Sequence, residues 1–221
     1  MPDYPGLRAK HPLAIRWFHW LNFPLLALMI WSGFLIYWAH DVYRIGWGSI
    51  TLFHFFPTKI YELAGSGQRL AEGMALHFLF MWLFVLNGAA YVAYTAISGE
   101  WRELLPRRGT LVDAWQVVLH DLGIRKQPLP PAKFNGAQRL AYTGVVLMGA
   151  GSLVTGMAIY KPIQFGWITY LLGGYEWARA EHFALTVGYV FFFATHIAQV
   201  VRAGWHNFQA MVTGVELEVA E

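Results

Sequence analysis

Four long stretches without a charged side chain constrain the fold of this chain more than any other feature of its sequence. They run near residues 17–38, 74–97, 140–160 and 182–201, and none contains Asp, Glu, Lys or Arg. A helix needs about 20 apolar residues to cross the hydrocarbon core of a bilayer. Because the stretches are continuously apolar and do not alternate, they predict membrane-spanning helices and not the strands of a barrel.

The composition supports this interpretation and excludes several kinds of site. Only 13% of the residues are charged and 57% are hydrophobic, whereas a soluble domain carries about 25% charged residues. The chain has no cysteine, which rules out disulfides, Cys-ligated iron–sulfur clusters and covalently attached haem. The net charge of +3 does not indicate nucleic acid, because the basic residues lie at the predicted membrane edges. A chain of 221 residues predicts one integral membrane domain, 1–221.

The distribution of Lys and Arg predicts the orientation. Eleven of the 16 basic residues fall on one side: three in the N-terminal tail, seven in the second loop, and Arg202 at the C-terminal end. Cytoplasmic segments carry the excess of positive charge, so both termini of this multi-pass protein are expected in the cytoplasm. The aromatic first loop, about 39–73, then faces outward, and its run 47–56 is expected at the interface or against a partner. In the second loop, 110–122 is expected to form a surface helix, and three prolines end it: Pro128, Pro130 and Pro131.

Four of the nine histidines fall inside the predicted spans, where ionisable residues are costly and usually functional. Alternating helix directions place His19 and His196 near the cytoplasmic surface, and His77 and His182 near the outer surface. The alternative for any one of them is a hydrogen bond between helices. Histidines paired in depth instead predict two b-type haems, each with two axial imidazoles that leave the iron no open position, which suits electron transfer. The other histidines are expected on the surface: His11, His40, His54, His120 and His206.

The spacings along the helices agree with two stacked haems. His182 and His196 are 14 residues apart, which is roughly 21 Å along a helix and about 40° from the same face. Gly33 is 14 residues after His19, and Gly88 is 11 after His77. Each glycine is expected where the other haem passes its helix, since a porphyrin needs backbone without a side chain there. Ordinary packing of small residues between helices is the alternative.

Several short stretches resemble a known family, the bacterial cytochrome b561-like proteins. These are the di-haem cytochrome b subunits that anchor formate dehydrogenases, nickel–iron hydrogenases and thiosulfate reductases. The matching pieces are R-W-F-H-W at Arg16–Trp20, G-M-A-L-H ending at His77, K-F-N-G-A-Q-R-L-A-Y at Lys133–Tyr142, and the His182/His196 pair. The resemblance implies a four-helix all-α bundle in a bacterial inner membrane, enclosing two haems, with His77 and His182 on the outer haem and His19 and His196 on the inner one.

The resemblance also implies a quinone site near the inner haem, supplied by Asn135 and Gln138 at the start of the third span. The alternative is that these amides cap the helix or bind a haem propionate. Menaquinone or ubiquinone would be the substrate. The aromatic first loop and K-P-I-Q at Lys161–Gln164 are most similar to cytochromes that serve periplasmic molybdopterin oxidoreductases. Arg16, one turn before His19, is a candidate for an inner-haem propionate, and a positively charged membrane anchor is the equal alternative.

The sequence therefore predicts an electron-transfer subunit that carries electrons between a periplasmic oxidoreductase partner, molybdopterin-containing or hydrogenase-like, and the quinone pool. No catalytic residue of its own is expected. One alternative is a stand-alone quinone oxidoreductase linked to superoxide or to extracellular metal. Another, of a different class, is a transporter or proton channel in which the four histidines form a relay.

Overall fold

The protein is described by a computed structural model, which covers residues 7–37, 39, 44–47, 50–55, 57–127 and 134–217. All four predicted spans are helices, and each is long and apolar enough to cross a membrane. They are α1 (Leu13–Tyr37), α3 (Leu70–Ser98), α6 (Gly136–Tyr160) and α8 (Tyr175–Ala203). Each helix begins before the uncharged stretch that predicted it. Trp38, the last residue of the first stretch, lies outside the described residues. Trp82, Leu86 and Phe191 are each more than half exposed, as expected of side chains whose solvent is lipid.

The remaining elements are short. They are the strands β1 (Leu7–Ala9), β2 (Arg44–Trp47), β3 (Ile50–His54) and β4 (Val215–Leu217), and the helices α2 (Thr58–Leu63), α4 (Trp101–Leu104), α5 (Thr110–Asp121), α7 (Gly166–Leu171) and α9 (Trp205–Thr213). The predicted surface helix 110–122 is confirmed as α5. In the first-loop run 47–56, β3 pairs antiparallel with β2; the placement of this run at the interface or against a partner stays a prediction. The three prolines predicted to end α5 lie outside the described residues.

The chain divides into two compact units, which are described separately. The N-terminal unit comprises Leu13–Ala89, and the C-terminal unit comprises Met1–Pro12 with Ala90–Glu221. Helix α3 contributes its first part to one unit and its last part to the other. The single domain expected from chain length stays a prediction.

In the N-terminal unit, α1 and α3 approach closely at Gly73. A Cβ built on Gly73 would lie 2.8 Å from Leu35 Cβ and 3.1 Å from the Ser32 carbonyl oxygen. Only a residue without a side chain therefore permits this contact between the helices. Farther along α3, the Asn87 amide donates to the Phe18 carbonyl at 3.3 Å, so hydrogen bonding as well as packing joins the two helices.

In the C-terminal unit, polar contacts fix the N-terminal end of α6. Arg139 is 8% exposed and donates to Glu103 Oε2 at 2.9 Å and to the Leu105 carbonyl at 3.2 Å. Hydrogen bonds lower the pKa of the Glu103 carboxyl, with the larger effect from Arg139 and the smaller from Arg107. The carboxylate is therefore charged at neutral pH, and it joins α4 to α6 through Arg139.

Other polar contacts join α5 to the C-terminal end of α8. Gln199 donates to Asp121 Oδ2 at 2.6 Å, and Arg202 lies 3.3 Å from Asp121 Oδ1. The second loop, the start of α6 and the end of α8 therefore meet at one end of this unit.

The two ends of the chain meet in the same unit. Strands β1 and β4 pair antiparallel, with Leu7 opposite Leu217 and Ala9 opposite Val215. Lys10 Nζ also donates to Asn207 Oδ1 at 3.0 Å. The segment before the first span and the segment after the last span are therefore adjacent.

The contact between α5 and α6 depends on Gly136. A Cβ there would lie 2.5 Å from the Thr110 carbonyl oxygen and 2.6 Å from the Ala114 nitrogen, both backbone atoms that cannot rotate away. We expect Gly136→Ala to displace α5 and to lower the free energy of unfolding by about 1–3 kcal/mol, the usual cost of overpacking. Gly166→Ala is the matched control, because no described atom lies within 4 Å of its Cβ position. Thermal unfolding in detergent measures both, and equal stability of the two variants would contradict this account.

Candidate functional site

The four histidines of the spans lie on three helices. His19 is in α1, His77 is in α3, and His182 and His196 are both in α8; all four are partly buried. Helix α8 is continuous from Tyr175 to Ala203. The 14-residue interval between its two histidines therefore corresponds to roughly 21 Å of helix with the rings on similar faces.

Within the N-terminal unit, His77 is held by a serine of the neighbouring helix. Ser32 Oγ lies 2.9 Å from His77 Nδ1 and 3.0 Å from the Met29 carbonyl oxygen of its own helix. A carbonyl can only accept, so the single hydroxyl proton of Ser32 goes to Met29 when both contacts are satisfied. His77 Nδ1–H then donates to Ser32 Oγ, which puts the ring lone pair on Nε2, the nitrogen that would ligate a metal.

Within the C-terminal unit, His182 is held in the same way by a threonine. Thr155 Oγ1 lies 2.8 Å from His182 Nδ1 and donates to the Gly151 carbonyl at 2.8 Å. The same proton count places the ring proton of His182 on Nδ1 and the lone pair on Nε2. Ser32 is fully buried and Thr155 is 4% exposed, so water does not compete for either hydroxyl.

A glycine follows each of these hydroxyl residues and lies against the same imidazole. The Cβ position of Gly33 is 3.9 Å from His77 Cε1, and that of Gly156 is 3.6 Å from His182 Cε1. Gly33, predicted from its distance to His19 to lie one haem level away from it, is therefore beside the His77 ring. Its role in packing a haem stays a prediction, as does that of Gly88, whose Cβ position has no described atom within 4 Å.

Sequence reasoning missed Ser32, Thr155, Gly156 and Gly73 as parts of this site. A Ser-Gly or Thr-Gly dipeptide could have drawn attention to the first three. That signal is weak, because the chain has other such dipeptides at residues 66–67, 98–99, 143–144 and 213–214. Only the packing of α1 on α3 and of α6 on α8 distinguishes the two that meet a histidine.

The other two histidines have aromatic neighbours on their own helices. The His19 ring meets Trp20 edge to face at 5.1 Å between centroids, and the His196 ring stacks on Phe192 at 5.9 Å and 8°. Arg16 lies on α1, three residues before His19 and so on a similar face. Its contact with a propionate stays a prediction.

The two amides predicted to bind quinone make a capping box at the start of α6. Gln138 N–H donates to Asn135 Oδ1 at 2.9 Å, and Asn135 N–H donates to Gln138 Oε1 at 3.0 Å. Both carbonyl oxygens are thus used within the helix. In the structure these two oxygens therefore cap the helix, which is the alternative to quinone binding. The amide NH₂ groups are the parts of these side chains left to donate to a quinone, and that role stays a prediction.

The donor set fits an axially ligated haem. Metal-ligating histidines donate their other ring nitrogen to an acceptor of the protein, which fixes the tautomer and the ring orientation. His77 and His182 both have this arrangement, and each has a glycine beside Cε1, the atom next to the ligating nitrogen. The residues present are therefore compatible with haem bound through Nε2.

Comparison with known proteins agrees with this chemistry. Residues 10–214 match the family model described as prokaryotic cytochrome b561. The chain is also 30% identical over 195 residues to a protein of Azospira oryzae, covering 87% of this chain and 90% of that protein. That protein is named "Putative protein-methionine-sulfoxide reductase subunit YedZ1".

The fold and the histidines define a membrane cytochrome of the b type. The chain belongs to the prokaryotic cytochrome b561 family, as its sequence motifs suggested. It is an all-α, multi-pass protein of the bacterial inner membrane that takes part in electron transfer through haem b.

Proposed function

We propose that this protein is the di-haem membrane subunit of an oxidoreductase, with His77 and His182 ligating an outer haem and His19 and His196 an inner one. The observation that carries the proposal is that His77 and His182 make the same kind of hydrogen bond through Nδ1. Each has Nδ1 within 3 Å of a buried hydroxyl, so each is oriented to ligate through Nε2. The two histidines on α8 supply one ligand at each level. When bound, the two haems would supply a one-electron path from one membrane surface to the other.

The inner surface is where we place the exchange with quinone. Asn135 and Gln138 begin α6 at the end of the unit where α8 also terminates. Arg139, beside them, donates its hydrogen bonds to Glu103 and to the Leu105 carbonyl. The amide NH₂ groups are therefore the donors that we assign to a quinone carbonyl. Menaquinone and ubiquinone present the same carbonyl chemistry to these donors.

We place both termini, the second loop and the quinone site in the cytoplasm. The proposal follows from the excess of Lys and Arg in these segments. It is supported by the pairing of β1 with β4 and by the contacts of Asp121 with Gln199 and Arg202. These contacts join the basic segments at one end of the C-terminal unit.

We propose a reductase as the partner at the outer surface, with electrons passing from quinol to that partner. The similar Azospira oryzae protein is named as a subunit of a methionine-sulfoxide reductase, which favours this direction and a partner that reduces a sulfoxide. A molybdopterin-containing reductase would also agree with the partner expected from the sequence. A hydrogenase-like partner would instead deliver electrons to the quinone.

The alternative functions predict different behaviour of the purified protein. A histidine relay in a channel needs no chromophore, whereas membership of the cytochrome b561 family favours a coloured protein. A stand-alone oxidoreductase would turn over with superoxide or metal and without a second subunit.

The test is reduction of the protein by a quinol, in membranes and after purification with its native partner. We expect a b-type difference spectrum on adding quinol and its reoxidation by methionine sulfoxide only when a second subunit has co-purified. Reoxidation by superoxide or ferric iron without a partner would favour the stand-alone enzyme. A protein that quinol does not reduce would contradict the proposed link to the quinone pool.

A further inference from the structure

The two units contain the same small arrangement around a histidine, although their sequences show no repeat. In each, a hydroxyl residue donates to a carbonyl of its own helix three or four residues earlier and contacts the histidine Nδ1 of a neighbouring helix. In each, the next residue is a glycine whose Cβ position lies less than 4 Å from Cε1 of that histidine. We call Ser32–Gly33 and Thr155–Gly156 the hydroxyl–glycine cradles.

We propose that Ser32 and Thr155 are a matched pair of positioning residues that orient both axial imidazoles of the outer haem and lower its midpoint potential. The inference rests on the proposed roles of His77 and His182 as ligands and goes beyond them. Neither hydroxyl is proposed to touch the haem, so each acts through the histidine that it holds.

The geometry gives each hydroxyl two effects on its imidazole. The bond to Nδ1 fixes the tautomer and stops rotation of the ring about Cβ–Cγ, while the glycine lets the Cε1 edge lie against the helix backbone. The same bond increases the electron density that the imidazole gives to iron through Nε2. Because each hydroxyl also donates to a carbonyl, it is polarised and accepts from Nδ1 more strongly.

A more basic axial ligand stabilises ferric haem over ferrous haem, so the cradles hold the potential of the outer haem down. Loss of an outer partner of a metal ligand commonly costs tenfold or more in affinity or activity. We therefore expect each loss of a hydroxyl to shift the ferric–ferrous equilibrium of that haem about tenfold toward ferrous, equivalent to about 59 mV for a one-electron couple.

The experiment is a spectroelectrochemical titration, with EPR of the ferric haems, on the detergent-purified holoprotein and four variants. Ser32→Ala and Thr155→Val remove the acceptors, and valine keeps the shape of threonine. Thr155→Ser keeps the hydroxyl and loses only a methyl group. Thr95→Val is the matched control: Thr95 is 5% exposed, and its hydroxyl donates to the Tyr91 and Val92 carbonyls, roughly 27 Å along α3 from His77.

We expect Ser32→Ala and Thr155→Val to raise the potential of the same haem and to change its EPR g values, which respond to the orientation of the imidazole planes. Thr155→Ser and Thr95→Val should leave both unchanged. Loss of one haem from Thr155→Val but not from Thr155→Ser would support the same role.

Unchanged potentials and g values in Ser32→Ala and Thr155→Val would overturn the inference, as would equal changes in Thr155→Val and Thr155→Ser. The proposed function fails in a different way. If His77→Ala and His182→Ala kept both haems, the ligand assignment would be wrong; if Ser32→Ala and Thr155→Val altered different haems, the pairing of ligands would be wrong while the positioning role stood.

Discussion

Replacing His77 or His182 with alanine is expected to remove one and the same haem, and replacing His19 or His196 to remove the other. Each alanine leaves the affected iron with one imidazole and the other iron with two, and the axial imidazoles hold a haem that no cysteine attaches covalently. Haem content per chain should fall by half in each variant. Low-temperature difference spectra of the four purified variants will show which component each one loses.

A control separates loss of a ligand from a general effect of removing a histidine. His120 is partly buried on α5, outside the membrane spans, and its Nδ1 lies 3.9 Å from Asp121 Oδ1, so His120→Ala should retain both haems. The account would be wrong if His19→Ala and His77→Ala abolished the same spectral component. That result would mean that ligands from the two ends of the membrane share one iron.

Removing the amide donors at the start of α6 is expected to slow quinone turnover roughly 5- to 150-fold with both haem spectra intact. The figure corresponds to one lost buried hydrogen bond of about 1–3 kcal/mol, fully expressed in the transition state. The capping box decides which substitutions test this. Asn135→Asp and Gln138→Glu keep the carbonyl oxygens that accept from Gln138 N–H and Asn135 N–H. They replace each NH₂ donor with a negatively charged acceptor.

The leucine substitutions Asn135→Leu and Gln138→Leu serve as the comparison, because they lose the cap as well as the donors. We expect these to cost about 1 kcal/mol of helix stability in addition to the slower turnover. Haem occupancy and quinol-linked haem reduction should be measured on the same preparations. If Asn135→Asp and Gln138→Glu turn over at the normal rate with full haem content, both residues act as a cap and lie outside the quinone site.

The sequence predicted the elements whose signal is local. Four uncharged stretches predicted α1, α3, α6 and α8, because a bilayer imposes a minimum length on apolar helices. Helix α5 was also predicted, and the capping box N-G-A-Q that begins α6 is a readable pattern. The family resemblance assigned these amides to quinone, with the helix cap as the alternative.

The parts that were not predicted depend on contacts between helices. The Ser-Gly pair in α1 contacts a histidine only because Gly73 lets α3 approach α1, with His77 one turn farther along α3. Nothing in the spacing of Ser32 and His77, 45 residues apart, encodes that contact. The hairpin of β2 and β3 was not predicted either. Its side chains at Ile50, Leu52 and Phe53 are all exposed, and the sequence has no strict alternation of apolar and polar residues there that predicts a strand.

The number of haems per chain tests the central claim most directly. Fully loaded protein should be purified, its concentration determined by quantitative amino-acid analysis, and its haem measured as the pyridine haemochrome. The account predicts two haems b per chain, one for each pair among His19, His77, His182 and His196. A value of one haem or fewer in fully loaded protein would contradict it.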